Sequence, residues 1–474
     1  LAAACAAPAS TPAPTRDDGG SHSSNQDLAA QAGAALERGE LRAAHDLLRE
    51  QLIREGLVEV NSLADGGDLE LALASAQALL STAPADARAQ DALRRAALLL
   101  GADRYEKAQI VYAAGDIRAA LTLLDQAVTL NPLSADAHAL RGACCLALGA
   151  QDGEPMLFED ALRELVLAAN SGERPDAWIG ASRAARLLYY DGFDRTRIQE
   201  AILLAREGVR AVEAGTLDPE RLVVLPSQVL AEACFDLYKA AREAEEAETA
   251  GQAAAETRTA LETCIGARPE DPWAWLQLAS LLEWQGQPTE GRDVLRNALS
   301  LLPGNDALHS DHARLSRTIG GYAEVVSAYA HLLAEHPDSA LGHWYHAVDS
   351  FELALAGVDA GEDQRANFTL AETSFHQCRA LEAAYAESCR GYEVMCRAGA
   401  GLSMFHAGEI AEAQNAFLSM EQVFEGGLAW SIDGRMSSGL VYLDYVVGHQ
   451  YQRQLDQALP AEERRAALLE AAAL

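Results

Sequence analysis

A constant interval of 34 residues organises the middle of the chain. Pro269, Pro303 and Pro337 are spaced by it, and so are Gly286 and Gly320. The sets Trp275/His309/His343, Ala279/Ala313/Ala347 and Leu261/Leu295/Tyr329 keep the same period. Large and small residues at fixed offsets across 257–352 imply a supersecondary unit that cannot cover its own apolar face. Such a unit has to stack on copies of itself. In the best-formed copy Trp275, Leu278, Ala279 and Leu282 share one face of a first helix, and Gly286 turns the chain. Leu295 and Ala298 then line a second helix, which Pro303 ends. The spacing of seventeen from Gly to Pro returns at Gly67/Pro84, Gly115/Pro132 and Gly320/Pro337.

Hydrophobic residues make up 49 % of the 474 but aromatics only 6 %, and Ala is abundant. Ala favours helices and lets them approach closely. Val and Ile form no alternating runs, so the chain reads as all-α. The stretch 257–352 resembles the tetratricopeptide repeat (TPR) family. The resemblance implies a right-handed α-solenoid of about nine to ten helix-turn-helix repeats with a C-terminal capping helix. On that frame 28–134 holds N-terminal repeats and 135–256 divergent ones, with insertions at 151–157 and 191–197. The regular core is 257–352. Divergent repeats follow over 353–474, with an insertion at 356–367, a cap at 430–447 and an amphipathic extension at 461–474. The Glu- and Ala-rich tract 240–258 is expected to be one long solvated helix end.

Residues 1–5 read Leu-Ala-Ala-Ala-Cys, which resembles the end of a bacterial lipoprotein signal. The bulky residue lies four before the cysteine instead of the usual three. A Pro/Ser/Thr/Gly-rich run follows and has too little apolar surface to fold. The expectation is a lipidated Cys5 and a disordered tether over 1–27; the alternative is a soluble intracellular TPR adaptor in which Cys5 is incidental. Lipidation would place the protein in the bacterial cell envelope, on the periplasmic face of the outer membrane; Ala6 after the cysteine resembles the outer-membrane form.

A net charge of −33 disfavours nucleic acid, whose phosphates need clustered Lys and Arg. The acidity keeps an Ala-rich solenoid in solution, and would also steer in a basic partner. Eight cysteines form no CxxC pair with metal spacing. Most fall at apolar helical positions, where burial is expected. Cys378, Cys389 and Cys396 lie close enough in sequence for a bridge in an oxidising compartment.

Familiar catalytic motifs are missing, so no enzyme activity and no cofactor is expected. His309, His312, His343 and His346 recur at the same two positions of successive repeats. They are candidates for a metal site; the alternative is that they are flat, hydrogen-bonded spacers at packing positions. The TPR resemblance implies a partner-binding groove lined by first helices. Carrying its offsets over selects Trp273, Leu276, Glu283 and Trp284, then Ser310, Arg314 and Arg317, then Leu341, Trp344 and Phe351. Ile179, Arg183 and Arg186 come from an earlier repeat. Aromatic anchors beside Arg imply a protein or peptide partner, with an acidic segment or a C-terminal carboxylate meeting the guanidinium groups.

Overall fold

The computed structural model describes residues 21–409, 411–412 and 415–416. Cys5 and the cap and extension expected at 430–447 and 461–474 lie outside the described residues. The chain divides into two compact units, Leu1–Ala260 and Leu261–Leu474. Among the described residues there are only helices, turns and loops, with no strand.

The first unit holds α1 (Ser21–Glu37), α2 (Leu41–Asp65), α3 (Leu69–Thr82), α4 (Ala87–Ala113), α5 (Ile117–Leu130), α6 (Ala135–Asp152), α7 (Pro155–Asn170), α8 (Ala177–Gly192), α9 (Arg195–Glu213) and α10 (Pro226–Glu243). Helix α11 (Ala247–Ala267) carries the boundary. The second unit continues with α12 (Pro272–Trp284), α13 (Pro288–Leu301), α14 (Asp306–Glu335), α15 (Ala340–Asp359), α16 (Arg365–Leu381) and α17 (Ala386–His406). Helix α14 is two repeat helices joined across a kink at Gly320 and Gly321. From α1 to α10, and again from α12 to α17, every helix packs on its sequence neighbour, so both units are α-solenoids.

The punctuation of the sequence has a local mechanism. Two residues after Pro84, Pro132, Pro269, Pro303 and Pro337 stand Asp86, Ser134, Asp271, Asn305 and Ser339. Each side chain accepts a backbone N–H from the first turn of the helix that follows. Proline closes one helix and a cap opens the next. Gly67, Gly115 and Gly286 take left-handed φ at the turns within pairs, as does Gly39 at the turn from α1 into α2. At the kink in α14 it is Gly321, not Gly320, that does so.

Several local expectations change. The first helix begins at Ser21, inside the stretch expected to be a tether. The 240–258 tract is not one solvated helix. Helix α10 stops at Glu243, Glu245 turns with φ of 59°, and α11 buries Ala250, Ala253, Ala254 and Thr257. The expected insertions at 151–157, 191–197 and 356–367 become longer first helices followed by tight turns. The long Pro84–Gly115 interval is filled by one 27-residue helix, α4.

Candidate interaction face

First helices meet one another as well as their own partners. Helix α2 touches α4, α4 touches α6, α6 touches α8, and α8 touches α10; in the second unit α12 touches α14 and α15 touches α17. First helices therefore line one side of each unit, as the repeat grammar implies.

On α12 the side chains sort sharply. Ala274, Leu278, Leu281 and Leu282 are buried. Trp273, Gln277, Ser280 and Trp284 lie on the other side, at positions that stay within about 60° of one another on a 3.6-residue helix. Trp284 is 44 % exposed, and the other three are half-buried. Leu276 instead packs against the core that α12 shares with α13 and α14.

The remaining expected groove residues are placed differently. Phe351 is 2 % exposed and meets Phe368 and Tyr392 edge-on. Trp344 contacts Phe375, Tyr385 and Tyr392. Phe351 belongs to the core of α15, α16 and α17 and cannot serve as a groove anchor, and Trp344, half-buried, packs against the same core. Leu341 and Ile179 are buried as well. The offsets fail here because α15 is a lengthened helix whose aromatic residues turn inward against α16 and α17.

The arginines are bound to their own chain. Arg314 grips Glu283 on α12 with two nitrogens, at 2.6 and 2.9 Å. Arg317 grips Asp349 on α15 at 2.6 and 3.0 Å. Arg186 pairs with Glu232 and Asp236 on α10, and Tyr190 also donates to Asp236. A guanidinium already forked onto a carboxylate is a poor receptor for a second one. The expected carboxylate clamp is therefore internally neutralised; Arg183 is half-buried and Ser310 is exposed. Asp349 is fully buried, and burial pushes its carboxyl above the usual carboxylate range although Arg317 pulls it down.

Such ties between separate elements recur. Arg88 binds Glu50, Arg174 binds Asp136, Arg197 binds Glu159, Arg206 binds Glu256 and Arg292 binds Glu324. Sequence reasoning missed them, although opposite charges about one repeat apart were the available signal.

The four histidines are spacers. His309 and His343 donate through Nε2 to the carbonyls of Pro303 and Pro337, each at 3.0 Å. Burial drives His312 down to about 3 and His346 to about 4, so these rings stay neutral. Among the described residues no group of three or more His, Cys, Asp or Glu is placed to hold a metal ion. A cleft of about 380 Å³ opens at the turns between repeats, beside Pro303, Ser339, Leu341, Glu382 and Tyr385. No described helix is long and apolar enough to cross a membrane.

Residues 272–315, which span α12, α13 and the start of α14, match the family model for the tetratricopeptide repeat. No curated protein matches the chain in sequence. Solved structures similar to it include PilF of Pseudomonas aeruginosa, at 20 % identity over 54 % of this chain and 98 % of that one, with a TM-score of 0.33. TTC0263, a TPR protein of Thermus thermophilus, is similar at 19 % identity over 52 % and 98 %, with a TM-score of 0.21. The TPR domain of P58(IPK) is similar at 14 % identity over 84 % and 99 %, with a TM-score of 0.20. Identities and scores this low say nothing of function. Residues 272–315 are thus a tetratricopeptide repeat, and the 34-residue period with its Gly-turned and Pro-ended helix pairs carries the same helix-pair fold along the described residues.

Proposed function

We propose that the protein is a lipid-anchored scaffold that holds a polypeptide partner against its first helices and carries out no reaction itself. The fold is one of protein–protein interaction. The observation that carries the reading is the α12 stripe, where two tryptophans bracket Gln277 and Ser280 on the side away from the core. Amphipathic aromatic rings supply large contact area at small entropic cost. With the nearby guanidinium groups already neutralised, recognition rests on these rings and not on a carboxylate clamp. The acidic surface favours a basic segment over nucleic acid. Lipidation of Cys5 and the polar run after it would hold the repeats at the periplasmic face of the outer membrane, where the scaffold would help assemble an envelope complex.

A photo-crosslinking amino acid placed at 273, 284 and, as a control on a second helix, 301 tests the site in native membranes. One and the same polypeptide captured from 273 and 284 but not from 301 is the expected result. Capture from 301 as readily as from the stripe would reject the face. Mass measurement of the mature N-terminus tests the anchor separately: a diacyl or triacyl adduct on Cys5 is expected, and an unmodified thiol there would remove it.

A further inference from the structure

All seven cysteines within the described residues are buried, and one pair stands apart. Cys378 lies in the last turn of α16, where its carbonyl accepts the Glu382 N–H at 2.9 Å. Cys389 lies in the first turn of α17. Only a 3-10 turn, Ala383–Tyr385, separates the two helices. Both side chains are completely buried in one cluster with Phe375 and Met395. Cys234 is instead engaged with Glu256, and Cys396 sits two turns further along α17.

We propose that Cys378 and Cys389 close a disulfide that staples the end of α16 to the start of α17. Two cysteines buried in the same cluster, on helix ends joined by a short turn, need little backbone movement to bond. Because the folded protein closes both thiols off from solvent, exchange occurs during folding. One cysteine thiolate attacks the disulfide of a donor, either an oxidised dithiol oxidoreductase or oxidised glutathione. A mixed disulfide forms and one donor thiol leaves. The second cysteine thiolate then attacks the protein sulfur of that mixed disulfide and releases the other donor thiol. The protein gives up two thiol protons and two electrons, and the donor is reduced to two thiols. The staple would fix the turn that carries Tyr385, which contacts Trp344 and borders the cleft beside Ser339. This inference does not rest on the proposed partner or on the anchor at Cys5.

The test uses the full chain, denatured and reduced, then refolded either with a mixture of oxidised and reduced glutathione or with dithiothreitol. Each sample is alkylated in denaturant and digested with trypsin. Cleavage at Arg365, Arg379, Arg390 and Arg397 puts Cys378, Cys389 and Cys396 on three different peptides. The expected product of oxidation is the peptide ending at Arg379 joined to the peptide ending at Arg390, two hydrogens lighter than their sum. Both are alkylated in the reduced sample. Oxidation should raise Tm by roughly 5 °C, and Cys389→Ala should abolish the rise while Cys396→Ser keeps it. Full alkylation of both cysteines after oxidation, or a link from either one to Cys396, overturns the proposal on the wild-type chain alone.

Discussion

The imidazole of His309 donates through Nε2 to the carbonyl of Pro303, six residues earlier and 3.0 Å away. Gln90, His138, Trp275 and His343 make the same bond to Pro84, Pro132, Pro269 and Pro337, at 2.9 to 3.0 Å. Proline ends a second helix and leaves its own carbonyl without a helical partner. A side-chain N–H from the next first helix satisfies it. The position therefore calls for a nitrogen donor of suitable reach, which explains why Gln, His and Trp substitute for one another there.

His343→Phe should consequently cost about 1 kcal/mol, the usual net value of one such bond, while His343→Gln should keep most of the stability. Urea unfolding of the two variants measures the difference. Equal midpoints would mean that the ring fills space and the bond contributes nothing.

The solenoid was legible because Gly and Pro act locally and the period repeats them, so Gly286, Pro303 and Pro337 fixed turn and stop without tertiary information. The face was legible only on α12, where the regular repeat holds. Phe351 and Trp344 turned inward because the last described repeats bring Phe368, Phe375, Tyr385 and Tyr392 against them. That encounter spans 17 to 48 residues of sequence and leaves no periodic trace. The guanidinium groups misled for a related reason. Arg317 counts as a surface charge until Asp349 on the next repeat is seen to take it.

His312 gives the fold an acid sensitivity. Its folded-state pKa is pushed down to about 3 by burial, from 6.5. A depressed value contributes stability that is complete above 6.5, where the unfolded chain also leaves the ring neutral. That stability drains away as pH falls toward 3, because only the unfolded chain then binds the proton. Leu278 holds the same position one repeat earlier and is buried, so His312→Leu should fold. Between pH 7 and 4.5 the wild type should lose about 2–3 kcal/mol more than the variant. Parallel urea titrations at the two pH values check this, and identical losses would contradict it.

Asp349 depends on Arg317. Removing the guanidinium as Arg317→Ala leaves a carboxylate with no exposure and no cation. The expected loss at pH 8 is about 2–3 kcal/mol, below the range for a fully buried pair because Arg317 still reaches solvent. The carboxyl already sits above its ordinary value, so its stabilising state is the protonated one. The variant's deficit should therefore shrink as pH falls toward 4 and grow as it rises. Asp349→Asn in the Arg317→Ala background should restore stability at pH 8. A deficit that ignores pH would point to lost packing by the arginine stem instead.

Two glycines in helices should respond to alanine in opposite directions. Gly142 on α6 faces α7 so closely that a Cβ would come within 2.5 Å of Leu165 Cγ and 3.2 Å of the Ala161 carbonyl. Leu165 is itself buried in that interface, so it has little room to yield. Gly142→Ala should cost about 1–3 kcal/mol by prising the two helices apart. Gly251 on α11 is exposed, and a Cβ there meets nothing within 4 Å. Gly251→Ala should gain about 0.5–1 kcal/mol, because alanine surrenders less backbone entropy in a helix. Thermal unfolding of the pair in the same buffer decides both at once. A stabilised Gly142→Ala would mean that α6 and α7 are packed more loosely than their side-chain contacts imply.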